Sequence, residues 1–370
     1  MRVCIIGIQN IKHMTLISMY TDFFKKNGIE YDLIYIDKYG IDEKNSARKV
    51  YKFETTNYIY KTIFGKIIKG ILFKKFAIKA IKENQYDFIV IWREQTASMF
   101  ADFLCKNYKD RFCVNIRDLW DQKNKYITHG VEKAVNSSAF NTISSKGFLG
   151  KLPPADYVIV NSINMEIVDF ENESSPKSVK HHICDKDSPL VITYIGTVRF
   201  YDYCYRLINA LRNDSRIVLK FIGQGSDIIR KYVEDHSIKN VICEGPFAHE
   251  DTMQLLEGTD IINSAFGAKD DAEKALMPIR YYYSIHLGCP VLTTEGTWVD
   301  KEAKSAGIGI SVPSEFNDAH NWADYIISKY NELTRTNIGD RLVSYRKELL
   351  LQNEQFITTL RSTINEIKNK

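Results

Sequence analysis

Residues 190–225 read LVITYIGTVRFYDYCYRLINALRNDSRIVLKFIGQG, and this stretch decides the fold class. Leu190–Ile195 is a short apolar, β-branched run that ends on Gly196, and Ile217–Gly223 repeats the pattern and ends on Gly223-Gln224-Gly225. A helix-like segment separates the two. Strands that are apolar along their whole length must be covered on both faces, and strands joined through helices run parallel. The rhythm continues with strand-like runs at Asn240–Glu244, Asp260–Ser264, Pro290–Thr294 and Ile308–Val312, then helices over 317–333 and 340–368. Residues 188–335 are therefore expected to form an open, parallel, Rossmann-like α/β domain.

The first half shows the same alternation. Arg2–Gly7, Glu30–Ile36, Tyr86–Trp92, Arg111–Ile116 and Ala155–Asn161 read as strands, with helices over 13–27, 73–83 and 95–107. Residues 1–170 make a second Rossmann-like domain in this reading. Residues 171–187 are polar, contain Pro176, lack apolar periodicity and are expected to be a linker. Residues 336–370 form a C-terminal helix expected to pack back on the first domain. The fold class is α/β, two Rossmann-like domains facing a central cleft, and open parallel sheets bind ligands at the carboxyl ends of their strands.

Composition sets limits on function. The chain has 370 residues, more than one ordinary core accommodates, with 44% hydrophobic and 26% charged residues, as in globular proteins. A net charge of +4 gives no reason to expect a nucleic-acid partner. The seven cysteines are odd in number and include no C-x-x-C pair, which points to free thiols in a reducing, cytoplasmic compartment. The apolar run Val3–Ile8 is short and is broken by Gln9, Asn10 and Lys12, unlike a secretory signal. No apolar window is long enough to span a bilayer. His181-His182-x-Cys184 lacks a fourth ligand, so neither a metal nor a resident cofactor is expected. Residues 55–82 carry seven lysines and no acid among Ile, Phe and Leu. That composition suits an anionic membrane surface, on the inner face of the cell membrane, although Gly65 and Gly70 interrupt the helical pattern; a lysine-rich insertion packed on the first domain is the alternative.

Several strand-end turns of the second half carry small residues: Gly196-Thr197, Gly223-Gln224-Gly225 and Gly245-Pro246. Glycines there let backbone N–H groups approach a phosphate, and a following helix N-terminus favours negative charge. The blocks YIGTVRFY (194–201), LKFIGQG (219–225), VICEGPFAHEDTMQLLEGTDIINSAF (241–266) and MPIRYYYSIHLGCPVLTTEG (277–296) together resemble family-4-type, retaining GT-B glycosyltransferases of bacterial surface-polysaccharide synthesis. RDLWD (117–121) and PPADYVIVNS (153–162) resemble that family's first domain more loosely.

The resemblance implies transfer of a sugar from a UDP- or GDP-linked donor to a glycan or lipid-linked acceptor, with retention and without a bound metal. Arg199 and Arg280 would offset the charge of the leaving diphosphate, because guanidinium matches phosphate geometry. Gly196, Thr197, Gly223, Gln224, Gly225, Gly245, Pro246, Met277, Pro278 and Ile279 would line the nucleotide. On the opposite wall Gln9, Asn10, His13 and Arg117 would meet the acceptor, with Asp118 positioning or deprotonating it. One departure stands out: the positions that hold two glutamates in the family hold Ala275 and Tyr283. Tyr283 offers the donor ribose a hydroxyl without charge, and Glu273 is the nearby carboxylate able to replace it. A catalytically inactive partner or binding subunit is therefore the competing reading. A dinucleotide oxidoreductase is disfavoured, since no G-x-G-x-x-G follows the first strand.

Overall fold

Each half of the chain builds one parallel sheet. The computed structural model describes residues 1–55, 62–163, 184, 188–317 and 320–369. The first unit comprises Met1–Asn161 with Leu351–Lys370. Its strands are β1 (Arg2–Gly7), β2 (Glu30–Asp37), β3 (Lys49–Glu54), β4 (Phe88–Trp92), β5 (Phe112–Ile116), β6 (Phe140–Ile143) and β7 (Tyr157–Ile159). They lie in the order β3-β2-β1-β4-β5-β6-β7, every pair parallel. Helices α1 (Ser18–Lys26), α2 (Ile63–Asn84), α3 (Glu94–Asn107) and α4 (Lys125–Val135) join them. All five residues of β4 are buried, which is why FIVIW reads as a continuous apolar run.

The second unit, Ser162–Leu350, repeats the plan. Its strands β8 (Leu190–Ile195), β9 (Ile217–Ile222), β10 (Val241–Glu244), β11 (Ile261–Asn263), β12 (Val291–Thr294) and β13 (Gly309–Val312) order as β10-β9-β8-β11-β12-β13, all parallel. Helices α5 (Tyr201–Ala210), α6 (Ser226–Asp235), α7 (Thr252–Leu255), α8 (Asp271–Lys274), α9 (Ile279–Leu287), α10 (Trp298–Ser305) and α11 (Trp322–Thr334) fill the connections. Leu190, Ile217, Leu219, Ile261 and Leu292 meet in one apolar cluster against Leu207, Ile208 and Ile326.

The last helix, α12 (Ile338–Asn369), contributes to both units. In the second, Ile338, Leu342 and Leu349 are buried and Arg346 Nε donates to the Ile285 carbonyl at 2.9 Å. In the first, Phe356, Leu360 and Ile364 are buried, with the Phe356 ring edge-on to Tyr20 at 4.8 Å. The Asn161 N–H donates to Asn353 Oδ1 at 3.0 Å, and Asn353 Nδ2 returns a bond to the Asn161 carbonyl at 3.2 Å.

Four sequence expectations are corrected. The helix expected over 13–27 begins only at Ser18, because Ile11–His13 form a 3-10 turn and Leu16 takes a φ of +65°. The helix expected over 73–83 begins at Ile63 and runs through Gly65 and Gly70. The glycines cost helix propensity, but the Thr62 hydroxyl accepts from the Gly65 N–H and Phe73, Ala77, Ala80 and Ile81 seat the helix in the core. Two strands, β3 and β6, have no counterpart in the expectation. The strand expected over 155–161 shrinks to Tyr157–Ile159. Residues 56–61 of the basic stretch, most of the expected linker 171–187, His181 and His182 lie outside the described residues.

Candidate functional site

Ligands of open parallel sheets gather where strand order reverses, because the loops on either side part there. In the second unit that point lies between β8 and β11. The turn after β8 and the turn after β9 pack backbone to backbone: Gly196 N–H donates to the Ile222 carbonyl and Val198 N–H to the Gln224 carbonyl, both at 2.9 Å. Gly223 has a φ of +131°, and a Cβ built on it would lie 2.1 Å from the Gly196 oxygen, so only glycine fits. Gly225 caps α6 at a φ of +87°. Thr197, Gln224, Gly245 and Pro246 are exposed beside these turns.

Arg280 stands on the first turn of α9, just after the N-capping Pro278, and is 9% exposed. Its Nε donates to the Asn263 carbonyl at 2.9 Å, and the guanidinium carbon lies 3.8 Å from the centre of the Tyr194 ring. The contact with the ring face is a cation–π interaction, which holds a desolvated guanidinium without neutralising it. No carboxylate pairs with Arg280 among the described residues. The same tyrosine organises the loop of Arg199: its hydroxyl donates to the Thr197 carbonyl at 3.0 Å and accepts the Arg199 N–H at 3.3 Å. Tyr194 thus brings both arginines named from the sequence to one place, and the exposed Arg199 side chain extends from that loop. The amides of the first turn of α9, which holds no acid, add their dipole to the same region.

The remaining second-unit candidates divide. Met277 and Ile279 are half-buried beside the α9 N-terminus. Glu273 is used locally: its backbone N–H is capped by Asp270 Oδ1 at 2.8 Å, and its Oε2 accepts the Lys269 N–H at 2.7 Å. Ala275 is buried. Tyr283 is buried in the apolar cluster around Ile285 and Val291; burial first, eased by the Arg280 charge and a side-chain bond with Thr252, pushes its hydroxyl up to about 12. It therefore stays neutral at physiological pH.

In the first unit the order reverses between β1 and β4. Gln9 is buried; its Nε2 donates to the His13 carbonyl at 2.5 Å and its Oε1 accepts from Arg93 Nη1 at 3.1 Å. Arg93 Nη2 also donates to Asp118 Oδ2, so the sequence-named Gln9 and Asp118 converge on an arginine. Asn10 is committed to structure: its Nδ2 donates to Asp37 Oδ1 at 2.9 Å and Glu43 Oε2 at 3.0 Å, and its Oδ1 accepts the Lys38 N–H at 2.9 Å. His13 Nε2 pairs with the Tyr39 hydroxyl at 2.9 Å, and Arg117 Nη1 reaches the Val160 carbonyl at 3.5 Å.

Sequence reasoning missed Arg93 and Glu94. Arg93 has a φ of +78°, uncommon for a side chain of its size, and Glu94 is 0% exposed. Burial pushes the Glu94 carboxyl up to about 7, while the Arg93 charge and Glu94's own backbone N–H pull against that shift and Asp118 adds to it. WREQ at 92–95 reads as an ordinary strand end followed by a charged helix start, so the one available signal was an arginine and an acid directly behind a wholly apolar strand. Tyr194 and Asn263 were also missed. Among the described residues no group of His, Cys, Asp and Glu is arranged to hold a metal ion. No described helix is long and apolar enough to cross a membrane.

No protein-family profile matches the chain. No curated protein matches it either. Solved structures match along nearly its whole length. Sucrose-phosphate synthase from Thermosynechococcus elongatus superimposes with a TM-score of 0.71 at 10% identity, covering 99% of each chain. Anabaena Alr3699/HepE, solved in complex with UDP, gives 0.64 at 11% identity over 98% of this chain and 100% of that one. The lipopolysaccharide outer core galactosyltransferase WaaB gives 0.61 at 16% identity over 98% and 99%. These likenesses show the fold: α/β, two Rossmann-like units, of the GT-B type.

Proposed function

We propose that the chain is a retaining, metal-independent glycosyltransferase that moves a sugar from a UDP- or GDP-linked donor to a glycan or lipid-linked acceptor in surface-polysaccharide synthesis. The observation that carries this reading is Arg280, a buried guanidinium held on the Tyr194 face with no carboxylate paired to it among the described residues and with the Arg199 loop anchored to the same tyrosine. A leaving nucleoside diphosphate gains negative charge as its bond to the sugar breaks. Arg280 and the α9 amides, fixed before the reaction, can offset that charge without reorganising, and the exposed Arg199 can join them. The second unit would hold the donor, and Gln9, Arg117 and Asp118 of the first would meet the acceptor. The structural likeness to a galactosyltransferase and to a protein solved with UDP agrees with this reading.

Calorimetric titration of UDP and GDP against wild type and Arg199→Ala tests the donor site. Binding of one nucleotide that weakens about tenfold in the variant is the expected result, a loss typical of one charge-assisted contact. Absence of binding by both sinks the proposal. The second reading, an inactive partner subunit, draws on Tyr283: buried and neutral, it supplies no carboxylate to a ribose. Nucleotide binding without turnover of any nucleotide sugar would favour it.

The acceptor's attachment to lipid is supported by α2. Ile67, Ile68, Ile71 and Leu72 are exposed along one side of that helix, Ile67 by 60% and Ile71 by 53%. Lys66, Lys75, Lys79 and Lys82 are exposed with them, and Glu83 is the helix's sole acid. Burial, together with the charges of Lys69 and Arg93, lowers the Lys38 ammonium below its usual range, as crowded cations require. Apolar side chains flanked by lysines suit a peripheral site on an anionic bilayer, each lysine adding about 1 kcal/mol. Liposomes containing anionic lipid should pellet wild type and leave an Ile67→Asp/Ile71→Asp variant in solution; equal pelleting would refute the membrane site.

A further inference from the structure

The junction between β4 and α3 holds buried groups that the transferase reading leaves unused. Trp92 Nε1, Arg93 Nε, both carboxylate oxygens of Glu94, Gln95 Oε1 and Thr96 Oγ1 are buried without a hydrogen bond of ordinary geometry among the described residues. Asn115 Nδ2, on the β5 residue paired with Trp92, is in the same state. Native interiors leave few polar atoms so, and here they fall on consecutive residues. Glu94 is the charged member. Its nearest cation is Arg93, whose Nη2 lies 3.6 Å from Glu94 Oε1.

Arg93 is therefore one cation between two carboxylates. Asp118, with a side chain 47% exposed, holds the hydrogen bond; Glu94, at 0%, has the longer approach, besides the local pull of its own backbone N–H and the Gln95 side chain. Two ionised carboxylates beside one guanidinium would leave an uncompensated charge, and the more buried acid is the one that keeps its proton.

We propose that Glu94 is a positioning residue that competes with Asp118 for Arg93. Protonated, it leaves the guanidinium to Asp118; ionised, it draws the guanidinium to itself and frees Asp118 to accept a hydrogen bond from an acceptor hydroxyl. The meeting with a hydroxyl rests on the transferase reading; the competition itself does not. The charged groups bearing on Glu94 are Arg93 and Asp118, while Lys38, after β2, bears on Arg93. Burial holds the Glu94 carboxyl at about 7, so the exchange falls in the physiological range.

The competition is tested without substrate. Full-length protein carrying 13C-labelled glutamate carboxyls and 15N-labelled arginine side chains is titrated by NMR, with Glu94 assigned through Glu94→Gln and Arg93 through Arg93→Lys. One glutamate should titrate near neutrality, and the Arg93 guanidinium should shift with the same midpoint in wild type and stay still in Glu94→Gln. An ordinary carboxylate midpoint for Glu94, or an Arg93 signal indifferent to it, overturns the proposal.

The consequence for turnover is read as UDP release from UDP-glucose with water in the acceptor's place. Wild-type kcat should rise about tenfold between pH 6 and 8, following the ionised fraction of one group. Glu94→Gln should stay at the wild-type low-pH value with KM unchanged, and Glu94→Asp should recover a rise. A Glu94→Gln profile that climbs like wild type also overturns the proposal. Absence of turnover in every variant counts against the transferase reading with this donor, and the NMR titration then decides alone.

Discussion

Arg93 and Arg280 both stand where their sheet reverses strand order, yet their surroundings are opposite. Arg93 is met by Asp118, Gln9 and, farther off, Glu94. Among the described residues Arg280 is met by an aromatic face and one carbonyl. A guanidinium already satisfied by protein acids positions other side chains, whereas one held by neutral groups keeps its charge for a ligand. The same architecture, repeated in one chain, thus sets one arginine among acids in the first unit and, in the proposed reading, leaves the other for an anion in the second.

The turns beneath these arginines should show the largest difference. Gly223→Ala must take a φ of +131° and place its methyl 2.1 Å from the Gly196 oxygen, a backbone atom that cannot swing away. It should lose about 4 kcal/mol by urea unfolding, at the exceptional end for one methyl. Gly7→Ala in the first unit meets the end of the flexible Met14 side chain at 2.4 Å, which can move, and should lose only about 1 kcal/mol. Equal losses would mean that the second unit's turn is no more tightly built than the first.

Glu94 gives the next largest effect, with the opposite sign. Its folded carboxyl sits at about 7 against an ordinary 4.5, so between those values the folded protein binds more protons than the unfolded chain. Stability contributed by the proton is then lost as pH rises through that window. Glu94→Gln should be more stable than wild type at pH 8 by up to about 3 kcal/mol, and equal to it at pH 4. A variant less stable than wild type at pH 8 would make Glu94 an ordinary structural partner of Arg93. A gain in stability with a loss of pH-dependent turnover is the pattern of a residue kept for function.

These contrasts also show what the sequence discloses. The six strands of the second unit are legible because each is an apolar run with a turn residue behind it, from LVITYI to GISV. In the first unit β3 is not, because KVYKFE alternates charge along a sheet edge and reads as surface. Nor is β6, a four-residue FNTI whose polar Asn141 and Thr142 are buried through side-chain bonds that the pattern does not display, to the Val135 carbonyl and to Asn115 Oδ1. Arg199 and Arg280 stand in blocks with a family resemblance, but Tyr194, which joins them, looks like any strand aromatic until its ring is seen under the guanidinium. Glu94 is hidden for a related reason. An acid at a helix start is common and usually solvated, and its unusual state comes from burial rather than from its neighbours in sequence.

Arg280→Ala tests the second unit's arginine from the ligand side. If its charge is reserved for a diphosphate, UDP affinity should fall about 30-fold, near 2 kcal/mol for a charge-assisted contact, with little change in the pH dependence of stability. Arg280→Lys should recover only part of the loss, since an ammonium cannot reproduce the fork or its stacking on Tyr194. UDP binding that is indifferent to both variants would place the diphosphate elsewhere.

The smallest effect belongs to Gln9. Removing its amide in Gln9→Ala takes one neutral acceptor from Arg93 and one bond from the His13 carbonyl, yet leaves the charged Asp118 contact intact. The loss should be about 1 kcal/mol, since the His13 bond is neutral and Arg93 keeps its charged partner Asp118. It should also be the same at pH 5 and pH 8, because no titrating group is removed. A loss that grows with pH would mean that Gln9 helps Arg93 choose between its two acids, and the competition for Arg93 would then involve three side chains rather than two.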